Sequence, residues 1–72
     1  MRAGVVSISP EVLSGTPVFA GTRVPVQTLI DYLKGGDSIE DFLAGFPSVT
    51  RQQVLGFLDE AEHQIFEMVR RA

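Results

Sequence analysis

The sequence contains no cysteine, no tryptophan and only one histidine. Without cysteine, neither a disulfide nor a thiolate metal site can form. No run of apolar residues approaches the ~20 residues of a membrane-spanning helix, and the N-terminus has no apolar signal-peptide core. We therefore expect a cytoplasmic protein that makes no membrane contact.

Basic residues are also scarce. The sequence has six Lys and Arg residues and nine Asp and Glu residues, which give a formal net charge of −3. This balance excludes a protein that wraps nucleic acid through a general basic field, although a local DNA contact is still allowed. The 72 residues fit a single domain over 1–72. A chain this short buries only about 60% of its extended surface. Self-association is then the expected additional source of stability, and we predict a homodimer.

Residues 1–25 have the pattern of a β-arm or hairpin. The β-branched run from Val5 to Ile8 favours a strand. Ala20-Gly21 is a plausible two-residue turn between Val18-Phe19 and the segment 22–24. No helix can run through this part because glycine and proline recur in it, at Gly15, Pro17, Gly21 and Pro25.

Residues 26–72 have the periodicity of three helices. The first carries one apolar stripe and ends at a glycine pair; its residues are Val26, Leu29, Ile30, Leu33 and then Gly35-Gly36. The second has Ser38 as N-cap with Asp41 three residues on, and it ends at Pro47. Its buried face is predicted at Ile39, Phe42, Leu43 and Phe46. Thr50 and Gln53 repeat the capping signal for a third helix, from Arg51 nearly to the C-terminus.

The apolar face of the third helix is wider than one small core requires. It covers about half of the helix circumference, whereas an arc of about 100° is enough to face a domain interior. The excess, represented by Leu55, Phe66 and Val69, is predicted to contact another protein chain.

One motif extends over most of the chain. It runs from Gly15-Thr16-Pro17 through Gly21-Thr22-Arg23 to Val26, continues at Gly36 and Ser38-Ile39, and ends with Phe46-Pro47-Ser48-Val49-Thr50 and Val54. In these residues the sequence resembles the prokaryotic family called domain of unknown function 433, from about Ile8 to about Ala61. The resemblance implies a mainly α, three-helix helix-turn-helix fold of the homeodomain or winged-helix kind, with an N-terminal β-arm. It also implies an antitoxin that binds and neutralises a PIN-like ribonuclease toxin and can bind its own promoter.

The Gly21-Thr22-Arg23 segment is the strongest local signal, and two interpretations of it stay open. Arg23 presents five donors in a planar fork, which suits a phosphate or a carboxylate on a partner. Alternatively, Arg23 holds the arm in place by bonding helix-end carbonyls or an acid such as Asp31 or Asp37. Gly21 and Thr22 then serve only the turn.

Arg51, Gln52 and Gln53 stand where a helix-turn-helix protein presents side chains to base edges. Arginine pairs with guanine and glutamine with adenine, so the residue types suit the major groove. Thr50 and Gln53 are equally well explained as a cap, and nearby acids such as Glu40 and Asp41 would repel phosphates. A stand-alone DNA-binding regulator and a non-catalytic dimerisation module are therefore kept as alternative functions.

Nothing in the sequence predicts catalysis, a metal or another cofactor. Asp59 and His63 have a spacing that two metal ligands on one helical face can use, but an exposed ion pair is the better interpretation. The serines have no nearby base that would activate them as nucleophiles. We therefore expect a binding protein and not an enzyme.

Overall fold

The computed structural model describes residues 4–71, apart from the side chain of Arg71. Residues 1–3 and 72 of the predicted domain lie outside the described residues. Two short strands, β1 (Val6–Ser7) and β2 (Val18–Phe19), precede three helices: α1 (Val26–Lys34), α2 (Ile39–Gly45) and α3 (Arg51–Arg71). The fold is mainly helical with a short N-terminal antiparallel hairpin, as the sequence predicts.

The hairpin pairs different segments from those predicted. β1 and β2 are antiparallel, with Val6 opposite Phe19 and Ser7 opposite Val18. The segment after Gly21 was expected to be the second strand, but it contributes only one isolated bridge, between Val18 and Pro25. The ladder does not continue, because the Val24 N–H donates to Thr22 Oγ1 instead of the Phe19 carbonyl and α1 begins at Val26.

The connection between the two strands contains a left-handed turn. Leu13, Ser14 and Gly15 have φ values of 49°, 56° and 87°. Glycine adopts this region at no steric cost, whereas Leu13 and Ser14 do so against the clash between Cβ and the following carbonyl. The turn reverses the chain between β1 and the start of β2.

The predicted helix ends are confirmed. After α1, Gly36 has a φ of 92°. The Gly36 N–H donates to the Leu33 carbonyl at 3.1 Å and the Asp37 N–H to the Tyr32 carbonyl at 2.9 Å, which together form a Schellman motif. Before α2, the Asp41 N–H donates to Ser38 Oγ at 3.0 Å and the Ser38 N–H to Asp41 Oδ2 at 3.1 Å, a complete capping box.

The core includes β2, so the N-terminal segment is not a projecting arm. Val18 and Phe19 are fully buried, and Phe19 joins a core cluster with Leu29, Phe42, Val49, Val54 and Phe57. The Phe19 ring lies 6.0 Å from the rings of both Phe42 and Phe57. The three helices leave a central space that their own side chains do not fill, and the aromatic ring of β2 occupies it.

Only the first half of α3 packs against this core. Val54 and Phe57 are buried, and Leu58 and Ala61 are half-buried. From Glu62 onward, the apolar side chains of the helix are exposed. The second half of α3 therefore extends beyond the packed part of the domain.

Candidate functional site

The segment Phe19–Val24, called the arm turn below, is held by hydrogen bonds from both its backbone and one side chain. The Thr22 N–H donates to the Phe19 carbonyl at 3.0 Å, and the Phe19 N–H donates to the Val24 carbonyl at 3.0 Å. Thr22 Oγ1 donates to the same Phe19 carbonyl at 2.8 Å and accepts from the Val24 N–H at 3.0 Å. The predicted turn at Ala20-Gly21 is confirmed, with a φ of 75° at Gly21. Since Ala20 keeps a negative φ, the turn has the signature of type II.

Gln53 attaches the arm turn to the start of α3. Its Nε2 atom donates to the Ala20 carbonyl at 2.9 Å. Its Oε1 atom accepts from the Thr50 N–H at 3.0 Å, and the Gln53 N–H donates to Thr50 Oγ1 at 3.1 Å. The predicted cap is thus confirmed, and the same side chain also makes a long-range bond. The arm turn and the first turn of α3 form one surface.

Arg23 is exposed on this surface and makes no hydrogen bond or ion pair with any residue that the structure describes. The interpretation in which it bonds Asp31 or Asp37 is therefore not realised. Asp31 instead accepts a hydrogen bond from Gln27 Nε2 at 2.9 Å.

The three residues predicted to read base edges are placed differently from one another. Arg51 forms an ion pair with Glu40 of α2. Gln53 is half-buried and uses its side chain on Thr50 and Ala20. Only Gln52 is exposed with no bond to the described part of the chain. The first turn of α3 thus presents fewer available donors than its sequence suggests.

The residues predicted to contact another chain are all exposed. The fraction of each residue accessible to solvent is 44% for Leu55, 55% for Phe66 and 67% for Val69. Ile65 and Met68 are also exposed. All of these except Leu55 lie in residues 62–71, called the α3 tail below.

Among residues 4–70, no group of three His, Asp or Glu side chains is placed to hold a metal ion. The ion pair predicted between Asp59 and His63 is not formed, and both side chains are exposed. No helix within the described range is long and apolar enough to cross a membrane.

Sequence reasoning missed the second role of Gln53. The cap explains Gln53 completely at the local level, so no signal remained to suggest a bond to a residue 33 positions earlier. The half-buried Ala20 carbonyl carries no sequence signature. Its need for a donor becomes visible only when β2 is placed in the core.

The chain is similar to a curated protein and to a solved structure. The relative is the "Uncharacterized protein y4eO" of Sinorhizobium fredii (strain NBRC 101917 / NGR234), 40% identical over 50 residues, which are 69% of this chain and 23% of that protein. The chain thus spans about a quarter of the length of y4eO. The structure is that of a DUF433 member protein from Anabaena variabilis ATCC 29413, with a TM-score of 0.72 and 26% identity, covering 94% of this chain and 67% of that one.

The family assignment agrees with the resemblance found in the sequence. Residues 6–61 match the family described as "Protein of unknown function (DUF433)". The matched range begins at β1 and ends in α3, one residue before the α3 tail. It therefore includes both strands, the arm turn, α1, α2 and the packed half of α3. This protein belongs to the DUF433 family.

Proposed function

We propose that this protein is an antitoxin that binds and neutralises a PIN-like ribonuclease toxin, and that the arm turn contacts the toxin. The observation that carries the proposal is Arg23, an exposed guanidinium without a partner in the described chain, on a turn that backbone and side-chain hydrogen bonds hold in place. The resemblance to the family supplies the class of partner.

The arm turn has the properties of a preorganised contact. Thr22 and Gln53 fix its backbone, so ordering the loop costs little conformational entropy when a partner binds. A guanidinium pairs best with a planar anion in two parallel hydrogen bonds. Arg23 is therefore suited to a carboxylate on the toxin surface.

A protein partner fits the charges better than DNA does. The chain has a net charge of −3, so a phosphate backbone is repelled as a whole. Arg51 is paired with Glu40, and Gln53 is used within the domain. Binding to promoter DNA through a helix-turn-helix formed by α2 and α3 is the weaker candidate.

The proposal is tested by co-expressing the chain with a PIN-like nuclease encoded in the adjacent open reading frame. The wild type should restore growth and copurify with the nuclease. Arg23→Ala should lose growth rescue and bind at least about tenfold more weakly, as expected for removal of a charge-assisted pair.

Lys34→Ala is the matched control, because it removes one exposed positive charge from the end of α1. It should bind like the wild type. A nuclease that is not bound by the wild-type chain, or that binds Arg23→Ala equally well, would contradict the proposal. Duplex binding at low salt that is lost in Arg51→Ala would favour the DNA function instead.

A further inference from the structure

Three of the five exposed apolar residues of α3 fall on a seven-residue repeat: Leu55, Ile65 and Val69. Written as a heptad, the helix has Leu55, Glu62 and Val69 at a positions and Leu58 and Ile65 at d positions. Phe66 at e and Met68 at g flank the second half of this row. A strict heptad stripe is the narrow seam by which two helices pack side by side. The row of a and d residues is called the α3 seam below.

The domain itself leaves the α3 seam open. Leu58 is half-buried beside the core, whereas Leu55, Ile65 and Val69 are exposed by 44%, 58% and 67%. Since Phe57 and Val54 already fill the core side of the helix, no described element remains to cover the seam. Its apolar residues therefore lack a partner inside the chain.

The charges around the seam select the occupant and its direction. A parallel copy of α3 would place Glu62 against Glu62, and two like charges in one apolar layer repel. An antiparallel copy pairs a with d positions, which places Leu58 against Val69 and Glu62 against Ile65. It also brings Arg70 to within about one turn of Asp59 of the second copy, so opposite charges meet.

We infer that α3 packs in antiparallel orientation against α3 of a second copy of this chain along the α3 seam. Each exposed α3 tail then lies on the core-bound half of the other helix. In this register the paired layers extend from Leu58 to Val69, a length of about 17 Å. The single polar a residue, Glu62, sets orientation at a cost in affinity.

The oligomeric state of the purified full chain is the first test. Sedimentation equilibrium should show a dimer for the wild type. Ile65→Asp should weaken the dimer at least about tenfold, because it places a second charge in the seam. Gln64→Asp makes the same change of charge on the adjacent exposed residue outside the seam, and it should leave the dimer unchanged. A monomeric wild type, or equal effects of the two variants, overturns the inference.

A second variant covers the case in which Ile65→Asp fails to fold. Glu62→Leu completes the apolar seam and should tighten the dimer at least about tenfold, with relaxed preference for orientation. An unchanged or weaker dimer contradicts a seam through Glu62.

Orientation is tested with one spin label, since the chain has no cysteine of its own. Labels at Gln52→Cys should lie about 35 Å apart in the antiparallel dimer. A parallel dimer would hold them near the ~10 Å spacing of packed helix axes, and this result overturns the antiparallel assignment. No step requires the toxin, so the outcome is independent of the proposed function.

Discussion

The side-chain amide of Gln53 donates a hydrogen bond to the backbone carbonyl of Ala20, 2.9 Å away and 33 residues earlier in the chain. This contact joins the arm turn to the first turn of α3, where the same side chain also completes the cap with Thr50. One glutamine thus connects the N-terminal segment with the last helix.

Gln53→Ala should lower the free energy of unfolding by about 1–2 kcal/mol, because it removes the cap bond and leaves the half-buried Ala20 carbonyl without its donor. Urea denaturation followed by circular dichroism measures the loss. Gln52→Ala, on the neighbouring exposed position, should change stability by less than about 0.5 kcal/mol. Equal effects of the two substitutions would show that the hydrogen bond to Ala20 does not contribute to the free energy of unfolding.

Gly21→Ala should destabilise the protein by about 1 kcal/mol through the backbone alone. Gly21 has a φ of 75°, while a Cβ added there would meet no atom within 4 Å. Gly4→Ala is the control, because Gly4 also has open space but no positive φ. Thermal melts of the two variants should separate clearly, and coinciding melts would contradict the type II turn.

Phe42→Ala should cost about 3–5 kcal/mol and unfold most of so small a domain. The Phe42 ring lies 5.5 Å from that of Tyr32, 5.0 Å from that of Phe46 and 6.0 Å from that of Phe19. Ile8→Ala removes an exposed apolar side chain and should cost less than about 0.5 kcal/mol. If Phe42→Ala folds and its melting temperature is close to that of the wild type, Phe42 is not central to the core.

Gly56 and Val5 should be coupled energetically. A Cβ at Gly56 would lie 3.0 Å from Cγ1 of Val5, the residue that precedes β1. In a Val5→Ala background, Gly56→Ala should stabilise by up to about 1 kcal/mol, since alanine is the better helix former. In the wild-type background the crowding should remove at least about 0.5 kcal/mol of that gain. A double-mutant cycle measures the difference. Additive effects of the two substitutions would contradict a contact between Val5 and Gly56.

Local rules predicted the helix boundaries from the sequence. Ser38 with Asp41 and Thr50 with Gln53 form the expected caps, and Gly36 ends α1. These signals depend on residues within four positions of one another, so the sequence alone contains them. The excess apolar surface of α3 was predicted for the same reason, since the helical period decides which residues share a face.

Long-range pairings were not predictable in this way. Phe19 was assigned to a peripheral arm, although it is fully buried at the centre of the core. β2 pairs with β1, and the predicted partner segment contributes only the Val18–Pro25 bridge. The free state of Arg23 was also undecided, because its neighbours in sequence do not determine which acids come within reach. Such relationships depend on how the elements pack, and no local pattern encodes that packing.

The burial of Phe19 between Phe42 and Phe57 couples the unfolding of β2 to that of the helices. Detaching β2 would expose both rings to water, so the hairpin cannot melt while the helices persist. Strand and helices then unfold as one cooperative unit. In native-state hydrogen exchange, the Phe19 amide should give the same free energy of opening as the amides of Val54 and Phe57.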